Sequence, residues 1–252
     1  MVNLVSGSIV ATTRHTFHER IAMAWQAEAL DPDWPFELLG TKFGLHAAST
    51  ALLVIDMQVS QLAPPSSLAQ FGDIQQYWSR RVDSVAVPQS QKLLAFFREN
   101  GLTVAFTRNG YNTRFGREST RRLRPAQPLE GGYLGHPDFE IDPRLAPADD
   151  EIVVDKLTSG GFTCTWLDHA LRNMGVTAVV VTGVLSDMCV FGTARAAAEI
   201  GYDTMICEDA CATFTQRAHD EAMLMHARKF GRVAQADDVI AELQPSLAAA
   251  KR

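Results

Sequence analysis

Short apolar segments recur along the chain from residue 51 onward, and longer segments of helical pattern separate them. Continuous apolar runs are typical of strands that are buried on both faces of a parallel sheet. The runs occupy residues 51–55, 102–106, 151–154, 176–181, 202–207 and 231–233. They predict six strands.

Helical patterns fill most of the intervals between these strands, and several of them end at a glycine, which is a common helix stop. They cover residues 90–100, 166–174, 189–200, 217–229 and 237–243. Strands that alternate with such helices indicate βαβ crossovers with helices on both faces of the sheet. We therefore predict one α/β domain with three layers (αβα) around a six-stranded, mostly parallel, Rossmann-like sheet.

Residues 1–48 lie outside this alternation and predict an N-terminal arm in front of a domain at 49–252. An amphipathic pattern over residues 18–30 predicts a helix, and a turn cluster (Asp-Pro-Asp-Trp-Pro) follows at 31–35. We expect this arm to pack on its own core or on a neighbouring subunit.

Two long stretches, residues 59–87 and 109–147, are predicted to be irregular. Both follow the carboxyl ends of strands, which is where open α/β sheets bind ligands. Irregular segments of this length in a compact domain are usually binding loops or lids. These two stretches are therefore expected to determine substrate specificity.

Composition and charge narrow the functional classes. Hydrophobic residues make up 46% of the 252 positions, which is enough for a sizeable core. The formal net charge of −6 disfavours a nucleic-acid-binding or membrane-surface protein. The longest apolar stretch is far shorter than the ~20 residues of a membrane span, and the first residues lack the pattern of a secretory signal. We expect a cytoplasmic protein with neither nucleic-acid nor membrane partners.

The cysteine pattern favours free thiols in a reducing compartment, because no two cysteines form a C-x-x-C pair. The four positions are Cys164, Cys189, Cys207 and Cys211. No glycine-rich nucleotide-binding motif is present either, which disfavours nucleotide cofactors. One of the thiols is free to act as a nucleophile.

Three chemically distinct residues follow the predicted strands: Asp56, Lys156 and Cys189. A helix start and a nearby ammonium both favour a thiolate. A carboxylate within reach can take the thiol proton and later pass it to a leaving amine. The trio indicates an acyl-transfer site. Taken singly, Asp56 also fits a turn or cap residue, Lys156 a solvated side chain and Cys189 a small core residue.

Three sequence blocks carry these residues, and together they resemble the isochorismatase-like cysteine hydrolases. The blocks are Ala51-Leu-Leu-Val-Ile-Asp-Met-Gln58, Val153-Val-Asp-Lys-Leu-Thr-Ser-Gly-Gly-Phe162 and Val180-Val-Thr-Gly-Val-Leu-Ser-Asp-Met-Cys-Val190. That superfamily includes nicotinamidases, carbamoylsarcosine amidohydrolases and hydrolases of biuret and ureidoacrylate. The resemblance extends over roughly residues 49–245 and implies the α/β fold predicted above.

The resemblance implies a catalytic role for each member of the trio. Cys189 would attack an amide carbonyl and form an acyl-enzyme. Asp56 would act first as general base and then as general acid, while Lys156 would hold the thiolate by its charge and orient Asp56. Water would then hydrolyse the thioester.

The resemblance also implies a cis peptide bond between Val184 and Leu185, just before the nucleophile. This geometry would turn the Leu185 N–H toward the same point as the Cys189 N–H. The two donors would form an oxyanion hole, in which the loss of one donor typically costs ~3 kcal/mol of transition-state stabilisation.

The retained Cys189 favours cleavage of a C–N bond, because relatives that hydrolyse a vinyl ether do not need a thiol. The leading hypothesis is a hydrolase of a small amide, ureide or carbamoyl compound. Two alternatives stay open: an isochorismatase-type ether hydrolase or cyclic-amide hydrolase, and a non-catalytic binding or assembly member. Nicotinamidases have histidine metal ligands after the second strand, whereas residues 107–116 contain no histidine. We therefore predict neither a metal ion nor a cofactor.

Candidate substrate-binding residues lie near these blocks and on the predicted loops. They are Gln58, Arg108, Tyr111, Phe162, Ser186 and Asp187. Arg108 offers a planar fork of donors for a carboxylate or carbamoyl oxygen, whereas Ser186 and Asp187 fit a turn role equally well. The resemblance further implies a homodimer or homotetramer.

Overall fold

The computed structural model describes residues 25–63 and 70–250. In these ranges six strands form one sheet, and every neighbouring pair is parallel. The strands are β1 Thr50–Ile55, β2 Thr103–Asn109, β3 Ile152–Lys156, β4 Ala178–Val184, β5 Asp203–Ala212 and β6 Arg232–Ala234. Their order across the sheet is β3-β2-β1-β4-β5-β6, so the predicted six-stranded α/β fold is confirmed.

Helices flank this sheet and connect its strands. Those that follow the first strand are α3 Val59–Leu62, α4 Gly72–Arg81, α5 Val87–Glu99, α6 Leu167–Asn173, α7 Phe191–Glu199, α8 Gln216–Lys229 and α9 Ala236–Ala250. Two short helices precede it, α1 Ala27–Leu30 and α2 Phe36–Leu39. Single 3₁₀ turns lie at Ala47–Ser49, Arg121–Leu123, Pro137–Phe139 and Pro143–Leu145. None of the helices in the described ranges is both long and apolar enough to cross a membrane.

The central strands bury side chains on both faces, which explains their continuous apolar sequence. Leu52 and Val54 of β1 belong to a cluster with helices α5 and α9, on what we call the first face. Leu53 and Ile55 belong to a cluster with α6, α7 and α8, on the second face. Side chains alternate between the faces along a strand, and this alternation decides below which polar residues meet.

The prediction of irregular structure over residues 59–87 is wrong. Its described part contains α3 and α4, and a π-helical turn at Val82–Ala86 joins α4 directly to α5. Helix α4 buries only Trp78 and Arg81 among its ten residues, so its sequence lacks the apolar repeat that marks a helix. Residues 64–69 lie outside the described residues. The stretch 109–147, in contrast, contains only 3₁₀ turns.

The described part of the N-terminal arm packs on the domain that follows it. Phe36 and the partly buried Trp34 form a small apolar cluster with Ala227 of α8. Arg228 of α8 pairs with Asp31 and also lies over the Trp34 ring. The predicted helix over 18–30 is helical from Ala27 to Leu30, and its part before residue 25 lies outside the described residues.

Candidate active site

The carboxyl ends of three adjacent strands bring a carboxylate and an ammonium into contact. Asp56 follows β1, and Lys156 ends β3. The Lys156 Nζ lies 2.7 Å from Asp56 Oδ2, and both side chains are almost fully buried. Thr107, on the intervening strand β2, donates its hydroxyl to Asp56 Oδ1 at 2.6 Å. Both carboxylate oxygens are therefore engaged.

The backbone at Asp56 explains why its carboxylate reaches this group. Ile55 faces the second face, so strict alternation would carry the next side chain to the first face. Instead Asp56 has φ of 53°, in the left-handed region that aspartate tolerates better than most residues. Its carboxylate thereby joins Thr107 and Lys156, whose strand neighbours Ala105 and Val154 also line the second face.

Lys156 uses its remaining donors on the loop that follows β3. Its Nζ donates to the carbonyl oxygens of Thr158 at 2.9 Å and Ser159 at 3.1 Å. The Asp56 carboxylate and these two carbonyls surround the ammonium. The charge is thus held in one place beneath the site.

Cys189 completes the group from the other side. It lies in a π-helical turn, Ser186–Val190, that precedes α7. Asp56 and Lys156 lie close enough to the thiol for both to shift its pKa, and Asn109 Nδ2 lies 3.6 Å from Sγ. The residue is 8% exposed, so it is largely enclosed. The structure therefore brings together the three predicted catalytic side chains.

The resting state of this thiol differs from the expected thiolate. Burial raises the pKa of Cys189 most, the charge of Asp56 raises it further, and the charge of Lys156 lowers it, so that the pKa rises to about 12. The expectation failed because the thiol is buried and because a carboxylate faces it. The free protein therefore holds a protonated sulfur at neutral pH.

Strand β4 approaches β1 closely just before the turn Ser186–Val190, which carries the predicted nucleophile and which we call the nucleophile turn. Gly183 pairs with Ile55 and has φ of 114°. A Cβ atom at Gly183 would lie 2.1 Å from the Ile55 carbonyl oxygen, so only glycine fits. The following bond between Val184 and Leu185 is cis, as the resemblance implied. The close approach brings the Cys189 turn next to Asp56.

Two of the predicted substrate-binding side chains are already committed within the chain. Gln58 is fully buried; its Nε2 donates to the Phe139 carbonyl at 2.7 Å, and its Oε1 accepts the Asn109 N–H at 2.7 Å. The Arg108 guanidinium is paired with Asp155 and Glu140.

The direction of Arg108 follows from the strand. Thr107 and Asn109 contact Asp56 and Cys189 on the second face. Arg108, between them, points to the opposite face and lies over the Phe139 ring. The structure therefore does not bring Arg108 to the catalytic group.

Tyr111 lies in a long loop that closes on itself. Its hydroxyl donates to the Leu123 carbonyl at 2.8 Å, and its carbonyl accepts the Leu134 N–H at 2.8 Å. Farther along, the Leu129 N–H donates to the Arg114 carbonyl at 2.8 Å. These bonds give the loop, residues 110–134, its own framework.

The last three predicted substrate-binding residues have partners on the second face or around the turn. The Phe162 ring packs against Tyr202, with 5.6 Å between centroids. Ser186 is fully buried, and its Oγ lies 2.9 Å from His219 Nδ1. The Asp187 carboxylate accepts the Thr213 hydroxyl at 2.6 Å.

Sequence reasoning missed Thr107 and Asn109, which contact Asp56 and Cys189 directly. A signal was available, because both share the two-residue repeat of the buried Ala105 on β2. The predicted strand ended at residue 106, whereas β2 continues to Asn109. In the described ranges, His, Cys, Asp and Glu form no group of three or more that could hold a metal ion.

Comparison with known proteins places these residues in a family context. The family model described as "Isochorismatase domain" matches residues 50–238. The ureidoacrylate amidohydrolase RutB of Variovorax paradoxus (strain S110) is 28% identical over 214 residues, covering 81% of this chain and 85% of that protein.

Solved structures agree with the fold. An isochorismatase family protein from Burkholderia thailandensis is 28% identical with a TM-score of 0.63, and the match covers 81% of this chain and all of that one (100%). N-carbamoylsarcosine amidase from Thermoplasma acidophilum shares the fold at 24% identity, with a TM-score of 0.57. The match covers 75% of this chain and 97% of that one.

Proposed function

Since the chain belongs to the isochorismatase family of hydrolases, we propose that it cleaves a C–N bond of a small amide, ureide or carbamoyl compound through a cysteine acyl-enzyme. The observation that carries this proposal is the buried Asp56–Lys156 ion pair beside Cys189, whose thiol also lies 3.6 Å from Asn109 Nδ2. The similarity to a ureidoacrylate amidohydrolase supports the same substrate class.

The first step is attack by the Cys189 sulfur on the substrate carbonyl carbon. Because the resting thiol is protonated, the proton must leave as the S–C bond forms. Asp56 is the base within reach, and it takes this proton while the carbonyl π electrons move to oxygen. In this proposal the N–H groups of Leu185 and Cys189 bind that oxyanion.

The second step expels the amine. The oxyanion collapses to a thioester, the C–N bond breaks, and Asp56 returns its proton to the departing nitrogen. Water then attacks the thioester, Asp56 takes one of its protons, and the sulfur leaves and is reprotonated. The products are an acid and an amine or ammonia. The cycle balances with water alone, so the proposal requires no cofactor.

Lys156 and Asn109 stabilise the negative charge that develops on the Cys189 sulfur during this cycle. The Lys156 ammonium lies 2.7 Å from the Asp56 carboxylate, and its charge lowers the pKa of the Cys189 thiol, so it stabilises negative charge that develops on the sulfur. The Asn109 amide lies with its Nδ2 3.6 Å from Sγ and can donate to the sulfur as negative charge develops there.

The proposal extends to the setting of the protein. The four cysteines are free thiols, which fits a reducing compartment, so we place the protein in the cytoplasm. We also propose a homodimer or homotetramer. Light scattering on the purified full-length chain tests this, and a monomer at micromolar concentration would contradict it.

A substrate panel tests the proposed reaction. Ammonia release is measured with biuret, ureidoacrylate, carbamoylsarcosine, nicotinamide and maleamate. For any compound that is hydrolysed, Cys189→Ala should lower kcat/KM by at least ~10³-fold, because it removes the nucleophile. Cys164→Ala is the matched control, since Cys164 is an exposed free thiol, and it should keep full activity.

Circular dichroism of both variants establishes that the fold is intact. Full hydrolysis by Cys189→Ala would overturn the acyl-enzyme proposal. Cleavage of isochorismate without activity on any C–N substrate would instead favour the ether-hydrolase alternative.

A further inference from the structure

A chain of buried polar side chains lies behind the nucleophile turn, away from the Asp56–Lys156 pair. It joins Arg81 at the end of α4, Glu208 of β5, His219 of α8 and Ser186 of the turn. Arg81 is 2% exposed, and Ser186 and His219 are fully buried. Buried polar groups of this kind are retained only when they are hydrogen-bonded, so the question is what the group holds in place.

Arg81 anchors one end of the group to β5. Its Nε donates to the Cys211 carbonyl at 3.0 Å. One terminal nitrogen, Nη2, donates to the Glu208 carbonyl at 2.9 Å and lies 3.1 Å from the Glu208 carboxylate. Gln235 donates to the other oxygen of that carboxylate at 3.0 Å. These contacts fix the guanidinium and the carboxylate relative to the strand.

Arg81 also determines which ring nitrogen of His219 carries the proton. Its Nη2 lies 2.9 Å from His219 Nε2. A guanidinium can only donate, so this contact requires Nε2 to accept. The Glu208 carboxylate, which can only accept, lies farther from Nε2, at 3.2 Å, and it already accepts from Arg81 and Gln235. The closer, charged donor therefore sets the tautomer. The proton of the neutral ring therefore sits on Nδ1, which donates to Ser186 Oγ at 2.9 Å.

The electrostatics of the group favour a neutral ring. Burial lowers the pKa of His219 most, and the charge of Arg81 lowers it further. Burial by itself would raise the pKa of Glu208, but the net shift is downward, with the charge of Arg81 among its causes. Glu208 is therefore ionised and balances the charge of Arg81.

We infer that His219 is a positioning residue for the proposed reaction: held by Arg81 and Glu208, it donates from Nδ1 to Ser186 and thereby fixes the turn that carries Leu185 and Cys189. This inference rests on the proposed hydrolase function. Ser186 adjoins Leu185 and precedes Cys189 by three residues. A rotation of the turn would move the sulfur and both proposed oxyanion donors together, and a misplacement of ~1 Å can cost ~10²-fold in rate.

Paired substitutions separate positioning from stability. Asparagine at position 219 puts an amide near Nδ1, where it can still donate to Ser186, whereas glutamine puts its amide near Nε2 and leaves Ser186 without a donor. We expect His219→Gln and Ser186→Ala to lower kcat by about 10- to 100-fold with little change in KM. His219→Asn should retain most of the wild-type kcat.

His226→Gln is the matched control. His226 is a second fully buried histidine of the same helix, but it contacts Thr204 of β5 and not the turn. It should lower stability without changing kcat per folded molecule. The inference is overturned if Ser186→Ala turns over at the wild-type rate, or if the two His219 variants lose kcat equally.

A second measurement does not depend on turnover. Nitrogen-15 NMR of histidine-labelled protein reports the protonated ring nitrogen, and we expect His219 to be protonated on Nδ1. Arg81→Met should abolish this preference in the folded protein. If the ring is protonated on Nδ1 but the protein hydrolyses none of the panel, the proposed function is contradicted and the hydrogen-bond assignment stands. A wild-type ring protonated on Nε2 would overturn the inference whatever the activity.

Discussion

At the scale of single residues, the site places a thiol beside the carboxylate that deprotonates it in the proposed reaction. The Asp56 charge raises the pKa of Cys189, and the Lys156 charge only partly offsets this and the effect of burial. In the proposed reaction, the cysteine therefore loses its proton only when substrate is bound, and not in the free protein. Such a thiol is protected from oxidants between turnovers, because the thiolate is the reactive form.

Replacing Asp56 should therefore separate thiol reactivity from catalysis. In a Cys164→Ala background, Asp56→Asn removes the charge that opposes the thiolate, so the pKa of Cys189 should fall. Each unit of decrease raises the thiolate fraction about tenfold. We expect iodoacetamide to label Cys189 about tenfold faster or more at pH 8, while hydrolysis is lost. Mass spectrometry of the Cys189 peptide measures the rate, and slower labelling than in Cys164→Ala would contradict the argument.

The sequence was informative about these residues where a side chain follows a recognisable block. Asp56, Lys156 and Cys189 could be identified in this way, and they do converge. Arg108 was a weaker choice, because strand alternation turns it away from the site. The partnership of Arg81, Glu208 and His219 could not be predicted, since it joins three remote segments that carry no local pattern.

At the scale of secondary-structure elements, the approach of β4 to β1 determines where the nucleophile turn begins. Gly183 permits it because its missing side chain leaves room for the Ile55 carbonyl. The register of the two strands thus depends on one position at their carboxyl ends.

Alanine at this position should separate crowding from backbone conformation. Gly175→Ala is the matched control: Gly175 also has positive φ (74°), but an added Cβ would meet nothing within 4 Å. Both variants bear the cost of a left-handed alanine, ~1–2 kcal/mol. Gly183→Ala should lose about 2 kcal/mol more in the free energy of unfolding, because the methyl group meets backbone. Equal urea midpoints for the two variants would show that the strands separate without cost.

Most elements could be located from apolar runs and glycine stops, because the central strands are buried on both faces. Helix α4 could not be located in this way. Its buried residues are Trp78 and Arg81, and a hydrophobic pattern does not count an arginine as a core position. The end of β2 was missed for a similar reason, because its last residues are polar and serve the site.

At the scale of the whole molecule, buried histidines make the fold sensitive to acid. Burial lowers the pKa of His226 to about 4, since its ring lies in the core between α8 and β5. The unfolded chain takes up this proton near the ordinary value of 6.5. Stability is therefore fully present above about pH 6.5 and is lost as the pH falls toward 4.

This contribution should amount to ~3 kcal/mol over that interval, at 1.36 kcal/mol for each unit between the two pKa values. Urea unfolding from pH 7 to pH 4 measures it. His226→Leu cannot take up the proton and should show a shallower decline, with the rest due to His219, whose pKa is also lowered. A decline as steep as that of the wild type would mean that other groups dominate acid unfolding.

The loop over residues 110–134 has a final consequence for the proposed function. Its hydrogen bonds run mainly within itself, as between Tyr111 and Leu123 or Leu129 and Arg114, whereas the catalytic floor is built on the strands. A self-contained segment of this kind can be transplanted from one scaffold to another. Under the proposed function, selectivity can be changed by exchanging residues 110–134, while Asn109 and the strand residues below the loop stay as they are.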